Sequence, residues 1–384
     1  MKKLSKLAAV LASIALAFGF VSCKNDDEDY PTYTVTVNAS ENGSVTASKT
    51  SGLASGEMVT LTITAETSDS FDCTLSELSV KNGDTDIEVS GTGNERTFTM
   101  PAGNVSVSAI FTKTTYFGSK KPSLAKEVGD IVFSDGSATP YASELTLTDD
   151  QKAKAIAVIF YVGTEVNDDK YVSVFGSGWW VPDNTTVRTL GVGLSQSQSF
   201  LEWCTTSANA YDTNIKTIIC TPSSTDEPDT ITFSSHYKNG SSNFEKIGSY
   251  LFFPIDPESG TGSAGVIHGK ADDTADEAKY PAFHFAKNYA NQEGSHVSGT
   301  SYAEGWYIPS IAELFELYKV KATVNQAVTL CSGTKLESIY WSSSQCTDNA
   351  NYAMRLYFSD EWSKTALGGV IKYTVEGVCV IHQF

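Results

Sequence analysis

Basic residues are scarce in this chain. Lys and Arg number 27 against 45 Asp and Glu, a formal net charge of −18 over 384 residues. So acidic a chain repels phosphate backbones, which argues against nucleic acid and equally against polyanionic glycans as its main ligand. Histidine is sparse too: His236, His268, His284, His296 and His382 are scattered without metal-ligand spacing, and no CxxC occurs to make a zinc site with them. The acidic cluster Asp272-Asp273 with Asp276-Glu277 lacks the glycine and spacing of an EF-hand loop and reads as solvated surface. There is no G-x-S-x-G elbow, since Gly260-Thr261-Gly262-Ser263-Ala264-Gly265 has the wrong order. Gly191-Val192-Gly193 lacks the third glycine of a dinucleotide loop. These absences leave no nucleophile, metal or cofactor motif, and the expectation is a chain without cofactor or catalysis.

The features that are present begin at the N-terminus. Lys2, Lys3 and Lys6 form a basic start, followed by an apolar run from Leu7 to Val21 and then Ser22-Cys23. The run is about 15 residues, short of the roughly 20 that span a bilayer. A charged start, a short apolar core and a small residue before the break make a secretory signal. With Phe20-Val21-Ser22-Cys23 at its end, it resembles a bacterial lipoprotein signal, Phe20 standing where Leu is usual. The resemblance implies a signal peptide over residues 1–22, lipid on Cys23 and a membrane partner through that anchor. Removal of Lys2, Lys3 and Lys6 then takes the charge from −18 to −21. Residues 23–32, rich in Asp and Glu, read as an extended acidic tether. An acidic cluster at that place resembles a surface-export signal of some Gram-negative groups, so the expected location is the outer membrane or cell surface.

Six further cysteines follow: Cys73, Cys204, Cys220, Cys331, Cys346 and Cys379. An even count in an exported protein permits disulfides, with about fifteen pairings open. Free, buried cysteines are the alternative.

Residues 33–112 alternate as strands. Thr34 to Val37, Val59 to Ala65 and Val105 to Phe111 each place apolar residues on one face, with Asn42-Gly43 and Asn82-Gly83 as turn signals. The segments Asn42-Gly43-Ser44-Val45, Gly56 to Leu61, Thr97-Phe98-Thr99-Met100-Pro101-Ala102 and Val105 to Phe111 resemble the divergent internalin B-repeat, a small β-grasp-like spacer of bacterial surface proteins. The resemblance implies a module that carries no catalytic residue and lifts the rest of the chain off the membrane.

Residues 113–123 are polar and read as a linker. Residues 124–384 read as one mixed domain, so the fold class expected is α+β: a small all-β module, then an α+β head. Thr148 and Gln151 form a capping box for a short helix running into an apolar strand, Ile156 to Val162. A helix is expected at Tyr280 to Tyr289. Another comes after the Ser310–Glu313 capping box, with Ile311, Leu314, Phe315 and Tyr318 on one face; Val324, Ala327, Val328 and Cys331 mark a third. Strands are expected at Ile339 to Ser343, Tyr352 to Phe358 and Gly377 to Gln383. Residues 221–242 and 258–276 read as exposed loops.

The pieces Gly305 to Leu314, Tyr340-Trp341-Ser342-Ser343-Ser344, Val378 to Ile381 and Val128 to Gly136 resemble an uncharacterised bacterial family grouped with the C-terminal domain of Legionella collagen-like adhesins. Its fold is similar to C-type lectins and to the formylglycine-generating enzyme, which implies a C-type lectin-like head. His382 stands where Arg is common in that family. The lectin motifs E-P-N, Q-P-D and W-N-D are absent, and Cys331 and Cys346 match no active-site cysteine motif. Trp306 and Trp341 read as core.

Binding remains. In lectin-like domains the ligand face is built from loops between the last strands, here Ser344 to Asn351 and Ser359 to Gly369. Tyr352, Arg355, Tyr357, Asp360 and Trp362 are the candidate ligand-binding residues, since Tyr and Trp give large rigid contacts and Arg directional hydrogen bonds. Rim packing is the alternative for Tyr357 and Trp362. The function expected is a surface lipoprotein whose head binds a protein or glycan ligand. The rivals are a structural envelope lipoprotein contacting neighbouring proteins and a surface receptor diversified by retroelements.

Overall fold

The computed structural model describes residues 30–174, 177–224, 227–234, 236–249, 275–358, 360–363 and 366–384. Cys23 with the whole signal and most of the 258–276 segment lie outside them. The described residues form two compact units. One runs to Glu66 and includes Cys73–Thr112; the other joins Thr67–Asp72 with Lys113–Phe384.

The first unit is all β. Its strands are β1 (Val35–Val37), β2 (Gly43–Ala47), β3 (Met58–Ala65), β4 (Phe71–Asn82), β5 (Thr85–Asp86), β6 (Glu95–Thr99) and β7 (Val105–Thr115). They make two sheets, ordered β1-β7-β4-β5 and β2-β3-β6. Alternation decides the core. Val59, Leu61 and Ile63 of β3 and Val105, Val107 and Phe111 of β7 are buried, while the threonines between them on β3 stay half-buried or exposed. Each such side chain contributes about 1.5–3 kcal/mol on burial. The two turn signals differ in outcome. Asn82-Gly83 opens a true hairpin, with Asn82 opposite Thr85. Asn42 adopts a φ of 63° and turns the chain, but β1 pairs in parallel with β7 and not with β2.

The second unit is α+β. In order come β8 (Asp130–Phe133), β9 (Ala138–Pro140), α1 (Asp149–Lys154), β10 (Ala155–Gly163), β11 (Lys170–Val174), β12 (Ser177–Val181), β13 (Arg188–Gly193) and β14 (Leu201–Glu202). Then come α2 (Asn243–Ser249), α3 (Pro281–Lys287), α4 (Ile311–Lys319), α5 (Lys321–Leu330), β15 (Ile339–Gln345), β16 (Tyr352–Tyr357), β17 (Leu367–Ile371), β18 (Val375–Glu376) and β19 (Ile381–Gln383). The main sheet is ordered β19-β13-β10-β8-β9 and is antiparallel throughout. The central strand β10 is buried on both faces, which is why it reads as a continuous apolar run. Val158 and Phe160 belong to a core covered by α4 and α5, whereas Ala157 and Ile159 face a second core built with α3.

Both capping boxes form. Thr148 accepts from the Gln151 amide, and Ser310 from the Glu313 amide at 3.2 Å. Glycines 191 and 193 are strand residues of β13. A Cβ at Gly193 would stand 2.4 Å from the Tyr289 hydroxyl, so close packing and not a nucleotide explains that pair.

Two expectations are corrected. Residues 113–123 are no free linker: Gly118 donates to the Ser137 hydroxyl, Lys120 exchanges backbone hydrogen bonds with Ala138, and Phe117 packs against the first core. Ser359 to Gly369 is not all loop, because Leu367 already pairs with Leu356. Strand β15 ends its three-stranded sheet, and Tyr340 to Gln345 are all buried. Helix α2 comes after the 221–242 stretch with too few apolar residues to show a period.

Candidate functional site

The five nominated ligand residues do not converge. On β16, Met354 and Leu356 point into the first core, as their alternation demands. Arg355 therefore leaves by the other face, where it forms an ion pair with Glu376 of β18. Burial raises the Glu376 carboxyl above its usual range, with Arg355 pulling it back. Trp362 packs on the opposite side, edge-on to Phe315 at 5.9 Å and Tyr318 at 5.3 Å, both on α4. Asp360 is exposed and lies 3.6 Å from Lys321. Tyr352 is half-buried, and Tyr357 is 42% exposed. The geometry of Trp362 is that of rim packing; Tyr357 is the open aromatic of the set.

The segments around Pro309 and Trp341 build a scaffold. Glu313, the capping residue, is fully buried, and its Oε1 lies 2.7 Å from Nη1 of the equally buried Arg188 of β13. Tyr307 completes the group, accepting from Arg188 Nη2 at 2.8 Å and donating to Glu313 Oε1 at 3.1 Å. Glu313 Oε2 accepts from the amides of Ser310 at 2.8 Å and Gly240 at 3.1 Å. A Cβ on Gly240 would stand 2.5 Å from the Ser310 nitrogen, so glycine is required at this approach. Burial opposes the Arg188 charge, yet Glu313 and Tyr307 hold its pKa above the usual arginine value. Burial and then Glu313 raise the Tyr307 hydroxyl well above the tyrosine range. The serines after Trp341 join in: Ser344 accepts from the Ile311 amide at 3.0 Å, the first of the α4 turn, and Ser343 from Asn243 Nδ2 at 2.9 Å. Trp306 and Trp341 are both core.

Several hollows open on the described part of the second unit, and two of them gather aromatic side chains. The smaller, about 300 Å³, is lined by Asn214, Lys216, Thr221, His236, Tyr237 and Thr347 among others. It lies where two irregular stretches meet. Ile219 bridges Gln345, and the hydroxyls of Thr221 and Thr347 hydrogen-bond. Buried Gln345 ties the stretches together, donating to the carbonyls of Thr213 at 2.9 Å and Ala350 at 2.8 Å and accepting from the Ile215 amide. The His236 ring lies 4.5 Å from that of Trp180, tilted by 49°, with its buried Nδ1 lacking a hydrogen bond and 3.7 Å from Asp169. Tyr237 is held at a φ of 62°, a strained conformation of the kind that gathers at ligand sites.

The larger hollow, about 980 Å³, lies beside α2 and α3, with Phe244, Glu245, Lys287, Glu304, Trp306 and His382 in its walls. His382 sits among Trp306 at 5.1 Å, Tyr302 at 5.7 Å and Phe384 at 4.9 Å. Its Nε2 donates to the Glu304 carbonyl at 3.2 Å while Nδ1 has no partner. Burial lowers its pKa by disfavouring the charged ring, against the backbone of Glu304 and Gln383, which favours it. Next to it, Arg188 Nε donates to the Gln383 side chain at 3.1 Å.

All six described cysteines are free. Burial pushes the thiols of Cys220, Cys331 and Cys379 up to about 12 and that of Cys346 up to about 11, which leaves them poor nucleophiles. Among the described residues no three His, Cys, Asp or Glu side chains gather as a metal site.

Residues 33–115 match the family model of the divergent InlB B-repeat domain. The B-repeat module is thus the all-β unit with its two sheets. Neither the search of curated proteins nor that of solved structures found a match. The residues missed from sequence are those of the smaller hollow. His236 escapes sequence reasoning because it has no ligand spacing, and only the turn-rich composition of 221–242 and the nominated loop from Ser344 point there.

Proposed function

We propose that this chain is a surface lipoprotein, anchored through lipid on Cys23, in which the B-repeat module spaces a C-type lectin-like head that binds a ligand and performs no catalysis. The lectin-like reading is supported by a strand from the start of the head, β8, and the final strand, β19, lying in one antiparallel sheet. The observation that carries binding is the meeting of the Ser344 to Asn351 loop with the 221–242 stretch around one recess, joined by Thr221 and Thr347. Small-molecule and side-chain ligands settle in such concave, mixed-polarity places.

The test uses full-length protein in detergent on glycan and protein arrays. A ligand should be retained by the wild type and lost in Thr347→Trp, which fills the recess at an exposed position. Binding unaffected by Thr347→Trp rejects the recess. Capture of neighbouring envelope proteins alone favours the structural rival. Cys23→Ala should release the protein from membranes; retention of that variant, with no lipid mass on the wild type, rejects the anchor.

A further inference from the structure

We propose that the cleft beside α2 and α3 is a second binding site, and that it takes a Lys- or Arg-bearing segment of a partner protein. Charge argues first. The chain carries −18, so a basic partner is drawn to it and an acidic one repelled. The cleft wall adds two carboxylates, Glu245 and Glu304, and Glu304 is exposed with no ion pair among the described residues. The rim cation, Lys287, already lies 4.4 Å over the Phe244 ring, which shows that a side-chain ammonium fits on this wall. His382 adds no positive charge at neutral pH, since its unpartnered Nδ1 and burial keep it neutral. Apolar surface from Phe244 and Ala303 would take the methylene stems of long basic side chains. At about 980 Å³ the cleft is at the upper end of ligand sites and accommodates several residues of extended chain. Of two ligand chemistries open to an acidic cleft, a free polyamine and a basic peptide, the size and the apolar floor favour the peptide.

The experiment is fluorescence polarisation on full-length protein in detergent with three labelled hexapeptides of alternating Ala and Lys, Gln or Glu, with spermine as competitor. The Lys peptide should bind at least tenfold tighter than the Gln and Glu peptides, and spermine should displace it only weakly. Glu304→Gln should weaken the Lys peptide at least threefold, and Ala303→Trp should abolish its binding. Asp84→Asn makes the same charge change on the exposed hairpin of the B-repeat module and should leave affinity unchanged. Equal effects of Glu304→Gln and Asp84→Asn would reduce the attraction to net charge and overturn the site. Unimpaired binding by Ala303→Trp, no preference for Lys, or tighter binding of spermine than peptide also overturns it. None of these outcomes touches the recess at Thr347, which is tested by its own variant.

Discussion

The B-repeat module and the head solve burial differently. Among the described residues no polar side chain of the module is buried; the first in the chain is Asp130. Its core is Val, Leu, Ile, Phe and Met, with the thiol of Cys73 buried too. The head buries Arg188 against Glu313, a run of serines from Ser342, Gln345 and even Lys372. Burial lowers the Lys372 pKa to about 8, and its ammonium rests on the Ala210 carbonyl and 4.8 Å over Trp203. An apolar core tolerates change in proportion to lost volume, whereas a buried charge pair fails when one partner goes. The module's interior thus depends on size, and the head is a frame whose loops depend on polar partners.

This contrast can be broken by experiment, because all six tryptophans, from Trp179 to Trp362, lie in the head and report on it alone. The largest effect is expected from Glu313→Ala. It strands Arg188 in the core and should cost the head about 3–5 kcal/mol, read as a shift in the tryptophan-monitored denaturation midpoint. A shift no greater than that of Glu316→Ala, on the same helix, would refute a structural ion pair. Next comes Leu61→Ala in the module, about 3 kcal/mol through a cavity. It should lower the midpoint seen by far-ultraviolet dichroism and leave tryptophan fluorescence untouched; movement of both would deny the two units independent stability. Trp362→Ala should cost the head about 2 kcal/mol, since it packs on Phe315 and Tyr318. An unchanged midpoint with lost ligand binding would restore Trp362 as a ligand anchor. Thr148→Ala removes one cap and should cost about 1 kcal/mol, with Thr148→Ser restoring most of it.

The smallest effect concerns pH. The folded pKa of His382 lies below the ordinary histidine value of 6.5, so the unfolded chain binds more protons in that range. Stability should therefore fall as pH drops below about 6.5, and His382→Gln should flatten that part of the profile. An unaltered profile would show that another group carries it.

Much of the fold was legible because it rests on local chemistry. The Thr148–Gln151 and Ser310–Glu313 boxes name their helices from four residues each. The alternation from Val59 to Ile63 and from Val105 to Phe111 names strands with an inside and an outside. Short β13, β14, β17 and α2 left no comparable trace, since their burial is arranged by distant neighbours. The nominated ligand residues part in a specific way. Trp362 and Arg355 stand only seven positions apart, yet β16 alternation and the return of the chain send them to opposite sides of one sheet.

By itself the sequence determined the acidic charge, the module, the capped helices and the buried central strand β10. Each depends on residues close along the chain or on composition. Only the tertiary structure decided that Glu313 is an ion-pair partner as well as a cap, that Gly240 must be glycine, and that Thr221 and Thr347 share a recess. Those pairings join residues more than 70 positions apart. No periodicity encodes such contacts, because they arise when whole elements dock and each buried polar group must find a partner.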